Sequence, residues 1–293
     1  MPDDGRVQLT FTKGHGTQND FVLVPDHDGV LDLDPATVRA LADRHAGLGG
    51  DGVIRVVRTA AVPEVAEQAA AAEWFMDYRN ADGSLAEMCG NGVRVLVTYL
   101  VREGLVPAGV PLRLATRGGT KEVGFRDGEV AVDLGVWRLV HGLEGLREGG
   151  DTVVHVDGLP GPLPGLEVDL GNPHTVVLLP GADDLDRLDL HRPPRVEPEP
   201  TEGTNVEFVV LHGPGHVVMR VHERGVGETR SCGTGAAAAA LAARAWTIGA
   251  GGEAIDSWRV DVPGGSLEVR VLDESRVELS GPAVLVADGT VTV

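Results

Sequence analysis

Along the chain, short runs in which β-branched or aromatic residues alternate with polar ones lie between glycine-rich turns, the pattern of half-buried strands. Such runs predict strands at Val7–Phe11, Phe21–Val24, Trp74–Tyr78, Glu129–Leu134, Val206–Leu211, Val217–His222 and Ser266–Val271. Two stretches depart from alternation by being apolar almost throughout, Val93–Val101 and Ala236–Ala245. The second is alanine-rich and a strong helix former. The first has a composition that alone favours a strand, but its place in the chain matches that of the second, so both are assigned as helices. Gly104 then falls where a helix C-terminus wants a glycine. A helix apolar on nearly every side belongs inside a surrounding sheet. A further helix, Pro35–His45, is signalled by Asp34 as its cap and by proline in its first turn. The Ala- and Glu-rich stretch Ala60–Glu73 reads as a surface excursion, and Pro193–Pro200 as a loop.

The same landmarks recur in the same order in both halves, the signature of an internal repeat. Cys89-Gly90-Asn91-Gly92 precedes the first buried helix, and Cys232-Gly233-Thr234-Gly235 the second. A glycine pair follows each, Gly118-Gly119 and Gly264-Gly265, opening hairpins of similar sequence. Asn80 and Glu223 each stand nine positions before their cysteine, and Asn19-Asp20-Phe21-Val22 resembles Asn172-Pro173-His174-Thr175-Val176. Duplication predicts two similar domains related by a pseudo-twofold axis.

Composition narrows the function classes. A chain of 293 residues with 42% hydrophobic content can build two cores of ordinary size. Its formal charge of −19 repels phosphate backbones and anionic lipid, so nucleic acid and membrane surfaces are not expected partners. The beginning, Met-Pro-Asp-Asp-Gly, lacks a basic or apolar leader, and Ala236–Ala250 is too short and weakly hydrophobic to span a bilayer. The expected setting is cytoplasmic, and in that reducing compartment the two cysteines are expected as free thiols. Their separation does not match metal-ligand spacing and no histidine pair accompanies them, so no metal site is expected.

Each cysteine opens a buried helix, where unpaired N–H groups and the helix dipole favour a thiolate and can also hold a carboxylate. Two such helix starts facing one cleft would place thiols on opposite sides of a small molecule. That arrangement suits stereoinversion, one thiolate removing a proton and the opposite thiol returning one.

The segments Lys13-Gly14-His15-Gly16-Thr17-Gln18-Asn19-Asp20-Phe21, Asn80-Ala81-Asp82-Gly83-Ser84 with Met88-Cys89-Gly90-Asn91-Gly92-Val93-Arg94, Gly171-Asn172-Pro173-His174, Gly203-Thr204-Asn205, and Glu223-Arg224-Gly225-Val226-Gly227-Glu228-Thr229 leading to Cys232-Gly233-Thr234-Gly235 together resemble the diaminopimelate epimerases. The resemblance runs from Lys13 to Gly235, with Pro263-Gly264-Gly265-Ser266 beyond. It implies an α+β fold of two pseudo-symmetric domains, each a curved, mostly antiparallel sheet wrapped around a central helix. The expected boundaries are 1–132, completed by a C-terminal strand 283–293, and 133–282. It also implies a homodimer that interconverts LL- and meso-diaminopimelate for lysine and peptidoglycan precursors without pyridoxal phosphate or other cofactor.

Carried over residue by residue, the resemblance makes Cys89 and Cys232 the acid/base thiols, with His174 and Glu223 supporting proton transfer and engaging the reacting amino group. Asn19, Gly90, Asn91, Gly233 and Thr234 would surround the reacting α-carboxylate and amine, while Asn80, Asn172, Asn205 and Arg224 would grip the distal end. Arginine suits that end because its planar fork donates two parallel bonds to a carboxylate. Gly52 stands where some relatives carry a substrate-touching Gln, His222 replaces an aromatic residue, and residues 141–165 match nothing in the family pattern. The thiol pair itself also fits a proline or hydroxyproline racemase, a non-catalytic amino-acid-binding protein, and a redox sensor whose cysteines form a disulfide.

Overall fold

The computed structural model describes residues 7–146 and 150–293; residues 1–6 of the first expected domain and 147–149 of the unassigned 141–165 stretch lie outside them. The chain divides into two compact units, Met1–Val132 with Ser280–Val293, and Asp133–Leu279.

In the first unit, β1 (Gln8–Gly16) and β2 (Asn19–Pro25) form an antiparallel hairpin. Its turn residues Thr17 and Gln18 take φ of 48° and 63°, the paired left-handed conformations that match strand twist in a two-residue turn. α1 (Pro35–Ala42) leads to β3 (Gly52–Arg58), which lies parallel to β2, and β4 (Trp74–Asn80) returns antiparallel to β3. The chain then enters α2 (Gly90–Arg102) and resumes with β5 (Leu112–Ala115), parallel to β4, followed by the antiparallel β6 (Lys121–Arg126) and β7 (Glu129–Val136). The last strand of the chain, Ala283–Thr292, pairs antiparallel with β1.

The second unit contains β8 (Arg138–Leu139), β9 (Thr152–His155), β10 (Leu163–Asp169), β11 (Pro173–Leu178), α3 (Ala182–Arg187), β12 (Arg195–Glu197), β13 (Asn205–Gly213), β14 (His216–Glu223), β15 (Gly227–Thr229), α4 (Gly233–Gly249), β16 (Ser257–Val262), β17 (Gly265–Leu272) and β18 (Arg276–Gly281). From β10 onward the pairings run antiparallel with β11, parallel to β13, antiparallel to β14, parallel to β16 and antiparallel to β17. That is the succession from β1 to β6. In both units the long helix enters after the fourth member of the series. A duplicated unit produces this identity of order, and the fold is a sheet-dominated α+β structure.

Each long helix is the centre of its own unit. α2 packs against β1, β2, β3, β4 and the last strand, and α4 against β10, β11, β13, β14, β16 and β17. The run Ala236–Ala243 is wholly buried, and its small side chains let α4 sit close to six strands. In α2 burial overrides the strand propensity of its valines. Its end is closed by Gly104 at φ 68°, whose N–H reaches the Val101 carbonyl while Leu105 N–H reaches that of Leu100.

Three sequence expectations need correction. α1 stops at Ala42 rather than His45, because the Asp43 carboxylate captures the N–H groups of His45 and Ala46 and its backbone turns extended. The stretch 60–73 is anchored rather than purely superficial: its 3₁₀ turns place Val62, Val65 and Ala72 in a core with Val57, Phe75 and Ala115. Within 193–200, β12 pairs antiparallel with β9 and buries Val196, the prolines lying outside the paired residues. Within the largely apolar α2, Arg94 lies fully buried.

Candidate active site

Cys89 is the N-cap of α2, in extended conformation, and so stands at the helix start, whose first N–H groups have no intrahelical carbonyl to bond. Asn91, in the first turn, is 1% exposed and donates from Nδ2 to Asn19 Oδ1 at 3.1 Å. The same Asn19 oxygen accepts from Cys89 Sγ at 3.6 Å. What orients this carboxamide is Asp51, which accepts from Asn19 Nδ2 at 2.6 Å and from Asp20 N–H at 3.0 Å. Arg44 bridges Asp51 and Asp20, and Lys13 adds a second cation to Asp20 at 2.6 Å. Burial works to raise the Asp20 carboxyl, but the bonds from Arg44 and Lys13 bring it down to about 2.

Behind Asn91 stands Arg94, which donates to Asn91 Oδ1 at 2.5 Å, to Thr17 Oγ1 at 3.3 Å and to the Pro282 carbonyl at 3.0 Å. Burial lowers its guanidinium to about 10, partly offset by attraction to charge on Cys89 and Glu129. Gly16 is shaped to this group, since a Cβ there would lie 3.0 Å from Arg94 Nη2. Gly52 cannot carry a side chain in this backbone: a Cβ would lie 2.5 Å from both the Tyr78 ring and the Arg79 carbonyl. Asn80 ends β4 in a turn, its Nδ2 bonded to Ser84 Oγ at 2.9 Å.

In the second unit Cys232 is the N-cap of α4, and its Sγ accepts from Gly235 N–H at 3.4 Å. Thr234 Oγ1 lies 3.7 Å from that sulfur and accepts from Asn172 Nδ2 at 3.2 Å. Glu223, at the end of β14, bonds Thr229 Oγ1 and the Cys232 thiol. Burial raises the Glu223 carboxyl, with those two bonds opposing it. Burial likewise pushes the Cys232 thiol well above its usual value, and the carboxylates of Glu223 and Glu207 push it further. A helix N-terminus therefore does not by itself make Cys232 a thiolate in this setting; desolvation outweighs the backbone bond from Gly235.

His174 on β11 and Asn205 on β13 are register partners in a parallel pair. The imidazole Nδ1 meets Glu207 Oε1 at 2.7 Å, with both side chains fully buried. Asn205 donates to the Pro173 carbonyl at 3.1 Å and accepts from Arg224 N–H at 3.0 Å, tying the start of β13 to the turn after β14. The Arg224 side chain is exposed apart from its bond to the Glu202 carbonyl. His222 is buried, and burial pulls its imidazole below the usual value, so it packs as a neutral ring.

The expected site residues thus gather within each unit: Asn19, Cys89, Gly90 and Asn91 in the first, and Asn172, His174, Asn205, Glu223, Arg224, Cys232, Gly233 and Thr234 in the second. Asn80 bonds its own turn instead. Four further residues belong to these clusters and were not singled out from sequence: Asp51, Arg94, Glu207 and Thr229. Glu207 had a signal, because period-two alternation puts it on the same strand face as Asn205. Neither cysteine is in a disulfide. Among the described residues, the group with metal-ligand-like spacing is His141, Asp151 and Glu167, which shares no member with either cysteine cluster. No helix among them is long and apolar enough to cross a membrane.

Comparison with known proteins places relatives beside this geometry. The family profile described as diaminopimelate epimerase matches residues 11–140 and 167–286. The diaminopimelate epimerase of Streptomyces coelicolor is 51% identical over 289 residues, covering 97% of this chain and 95% of that protein. That of Thermobifida fusca is 48% identical over 289 residues, with 97% and 98% covered. Among solved structures, a Bacillus anthracis phenazine biosynthesis protein superposes with a TM-score of 0.67 at 15% identity over 98% of this chain and 100% of that one. A hydroxyproline epimerase from Agrobacterium vitis, with bound trans-4-hydroxy-L-proline, superposes at 0.55 and 15% identity over 98% and 93%. At such identity these two speak for the fold alone.

Proposed function

The chain belongs to the diaminopimelate epimerase family, and from that premise we propose that it interconverts LL- and meso-diaminopimelate by proton exchange between Cys89 and Cys232 at the α-carbon. The observation that carries this reading is the pair of cysteines, each capping a buried helix inside a polar cluster, Asn19 and Asn91 around one and Glu223 and Thr234 around the other. One sulfur, as thiolate, takes the α-proton and becomes a thiol. The other, as thiol, gives its proton to the opposite face and becomes a thiolate. Substrate and product differ only in configuration, and the thiols have exchanged protonation states, so the reverse reaction starts from the state the forward one leaves. Acid and base both come from the chain, and the step needs no pyridoxal phosphate.

Asn19, Asn91 and the helix-start groups of Gly90, Gly233 and Thr234 hold the α-carboxylate and amine. Glu223 and His174 bind the reacting amino group. Asn80, Asn172, Asn205 and the exposed Arg224 fork take the distal amino-acid end, and an analogue lacking that end leaves their polar groups unmatched. The family membership further supports a cytoplasmic homodimer serving lysine and peptidoglycan precursor synthesis. Cys89→Ala and Cys232→Ala, assayed separately with LL-diaminopimelate for epimerisation and for deuterium uptake at the α-carbon, test the mechanism. Both are expected to abolish epimerisation, and normal turnover by either overturns it. Turnover of proline in place of diaminopimelate overturns the substrate assignment.

A further inference from the structure

We propose that Glu207 is a positioning residue for His174: its carboxylate accepts the imidazole Nδ1–H and so leaves Nε2, with its lone pair, as the atom offered to the substrate's reacting amino group. This rests on the function proposed above and adds a residue to it.

The geometry follows from strand register. His174 and Asn205 are directly paired across the parallel β11–β13 ladder, and Glu207 lies two residues beyond Asn205 on the same face. Its Oε1 reaches Nδ1 at 2.7 Å in a wholly buried setting. The start of α4 is shaped to admit that carboxylate, since a Cβ at Gly235 would lie 2.7 Å from Glu207 Oε1.

The alternative is a purely structural pair tying β11 to β13. Two apolar side chains would do that at least as well, because burying an ionic or polar pair brings little net stability. The structure also leaves one atom of each member, His174 Nε2 and Glu207 Oε2, buried without a hydrogen-bond partner. Each such atom carries a desolvation penalty that nothing in the fold repays. A structural pair has no reason to retain that cost, whereas a group awaiting a ligand does. The other titratable groups around the pair are Glu223 on β14 and Cys232 before α4, and both are held toward their protonated forms by burial and by the charge of Glu207. Holding the proton on Nδ1 leaves His174 Nε2 as a buried acceptor with its lone pair unused. A carboxylate is the usual device for holding a histidine tautomer.

The test uses the full-length enzyme and the variants Glu207→Gln and Glu207→Leu, with kcat and KM for LL-diaminopimelate and ¹⁵N spectra of the labelled histidines, His174 assigned by its loss in His174→Gln. Wild type is expected to show His174 as the Nδ1–H tautomer. Glu207→Leu is expected to shift it toward Nε2–H and to lower kcat about 10–100-fold, the usual loss for an orienting partner, with KM changed less than about threefold. Glu207→Gln keeps the volume and is expected to lose kcat by about tenfold. Wild-type kcat in Glu207→Gln, or an unchanged His174 spectrum in Glu207→Leu, overturns the proposal. If Glu207→Leu does not fold, kcat in Glu207→Gln decides alone. Failure of the parent reading would instead appear as a wild-type enzyme that does not turn over diaminopimelate, while the ¹⁵N tautomer remains readable.

Discussion

Replacing Arg94 with methionine separates what this side chain does for the fold from what it does for the first cysteine cluster. Folding lowers the guanidinium from its ordinary value to about 10, chiefly through burial. At neutral pH the group is charged whether folded or unfolded, so the weaker hold on its proton is a destabilisation of about 3 kcal/mol. For a base depressed in this way the destabilisation is complete below pH 10 and disappears once the pH passes the ordinary arginine value. Methionine removes it and refills most of the volume. Against that gain, Asn91 Oδ1, Thr17 Oγ1 and the Pro282 carbonyl each lose a donor, about 1 kcal/mol apiece as a typical net hydrogen bond. The two effects nearly cancel, and the variant is expected to unfold in urea within about 1–2 kcal/mol of wild type. Activity should not be spared. The Asn91 carboxamide loses the bond that sets its orientation, and Cys89 loses a neighbouring positive charge, so epimerisation is expected to fall about 10–100-fold. Alkylation of Cys89 should also require higher pH. A wild-type rate in Arg94→Met, or a loss of stability beyond about 4 kcal/mol of the kind reserved for major core disruption, refutes the reasoning.

Two shorter predictions concern titration and access. Iodoacetamide near neutral pH should modify Cys89, which is partly exposed, roughly tenfold faster than Cys232, which is buried and held as a thiol; peptide mapping that finds Cys232 labelled first would contradict both the burial and the field assigned to it. Asp20 is held at about 2 in the fold against an ordinary 3.8, so its contribution is present above pH 4 and is lost as pH falls toward 2. That contribution is at most about 2 kcal/mol, less after solvent screening. Urea midpoints for wild type and Asp20→Asn between pH 6 and 2.5 should converge on acidification, and a constant gap would remove Asp20 from the acid-sensitive set.

Much of the fold is legible in the chain because the local signals agree with one another. The Asp127-Gly128 dipeptide takes the two positive φ values, 48° and 87°, that a two-residue hairpin needs, and the alanine run in α4 is both a good helix former and small enough for a crowded centre. Where local and tertiary preferences conflict, composition misleads. Val93–Val101 is helical only because its valines are enclosed by five strands, and its helical reading rested on its counterpart in the other half. Asp43 ended α1 early by capturing two N–H groups, which periodicity does not detect. The cysteines and asparagines were visible as motif, whereas the groups that orient them were not. Asp51 looks like an ordinary turn residue among glycines, Arg94 like one charge on an apolar helix, and Glu207 like the polar partner in an alternating strand. Their roles depend on register and burial, which only the assembled sheet specifies.

The two cysteine clusters share a plan but not a charge. At the first helix start a buried guanidinium lies close enough for its charge and a negative Cys89 sulfur to stabilise one another. At the second, Cys232 is enclosed with Glu223 and Glu207, and burial and both carboxylates favour the neutral thiol over the opposing bonds from Gly235 and Thr234. Duplication preserved the backbone scaffold, the cap position and the helix, while the flanking side chains diverged to give opposite fields. A two-thiol inversion needs one base and one acid at the outset. Identical fields would populate the two configurations of one proton and one charge equally, and only one of them supports turnover in a given direction. The difference between Arg94 and the Glu207–Glu223 pair favours charge on sulfur more at Cys89 than at Cys232, where burial and both carboxylates favour the thiol. The asymmetry therefore predicts that alkylation by iodoacetamide sets in at lower pH for Cys89 than for Cys232, and the reverse order refutes it.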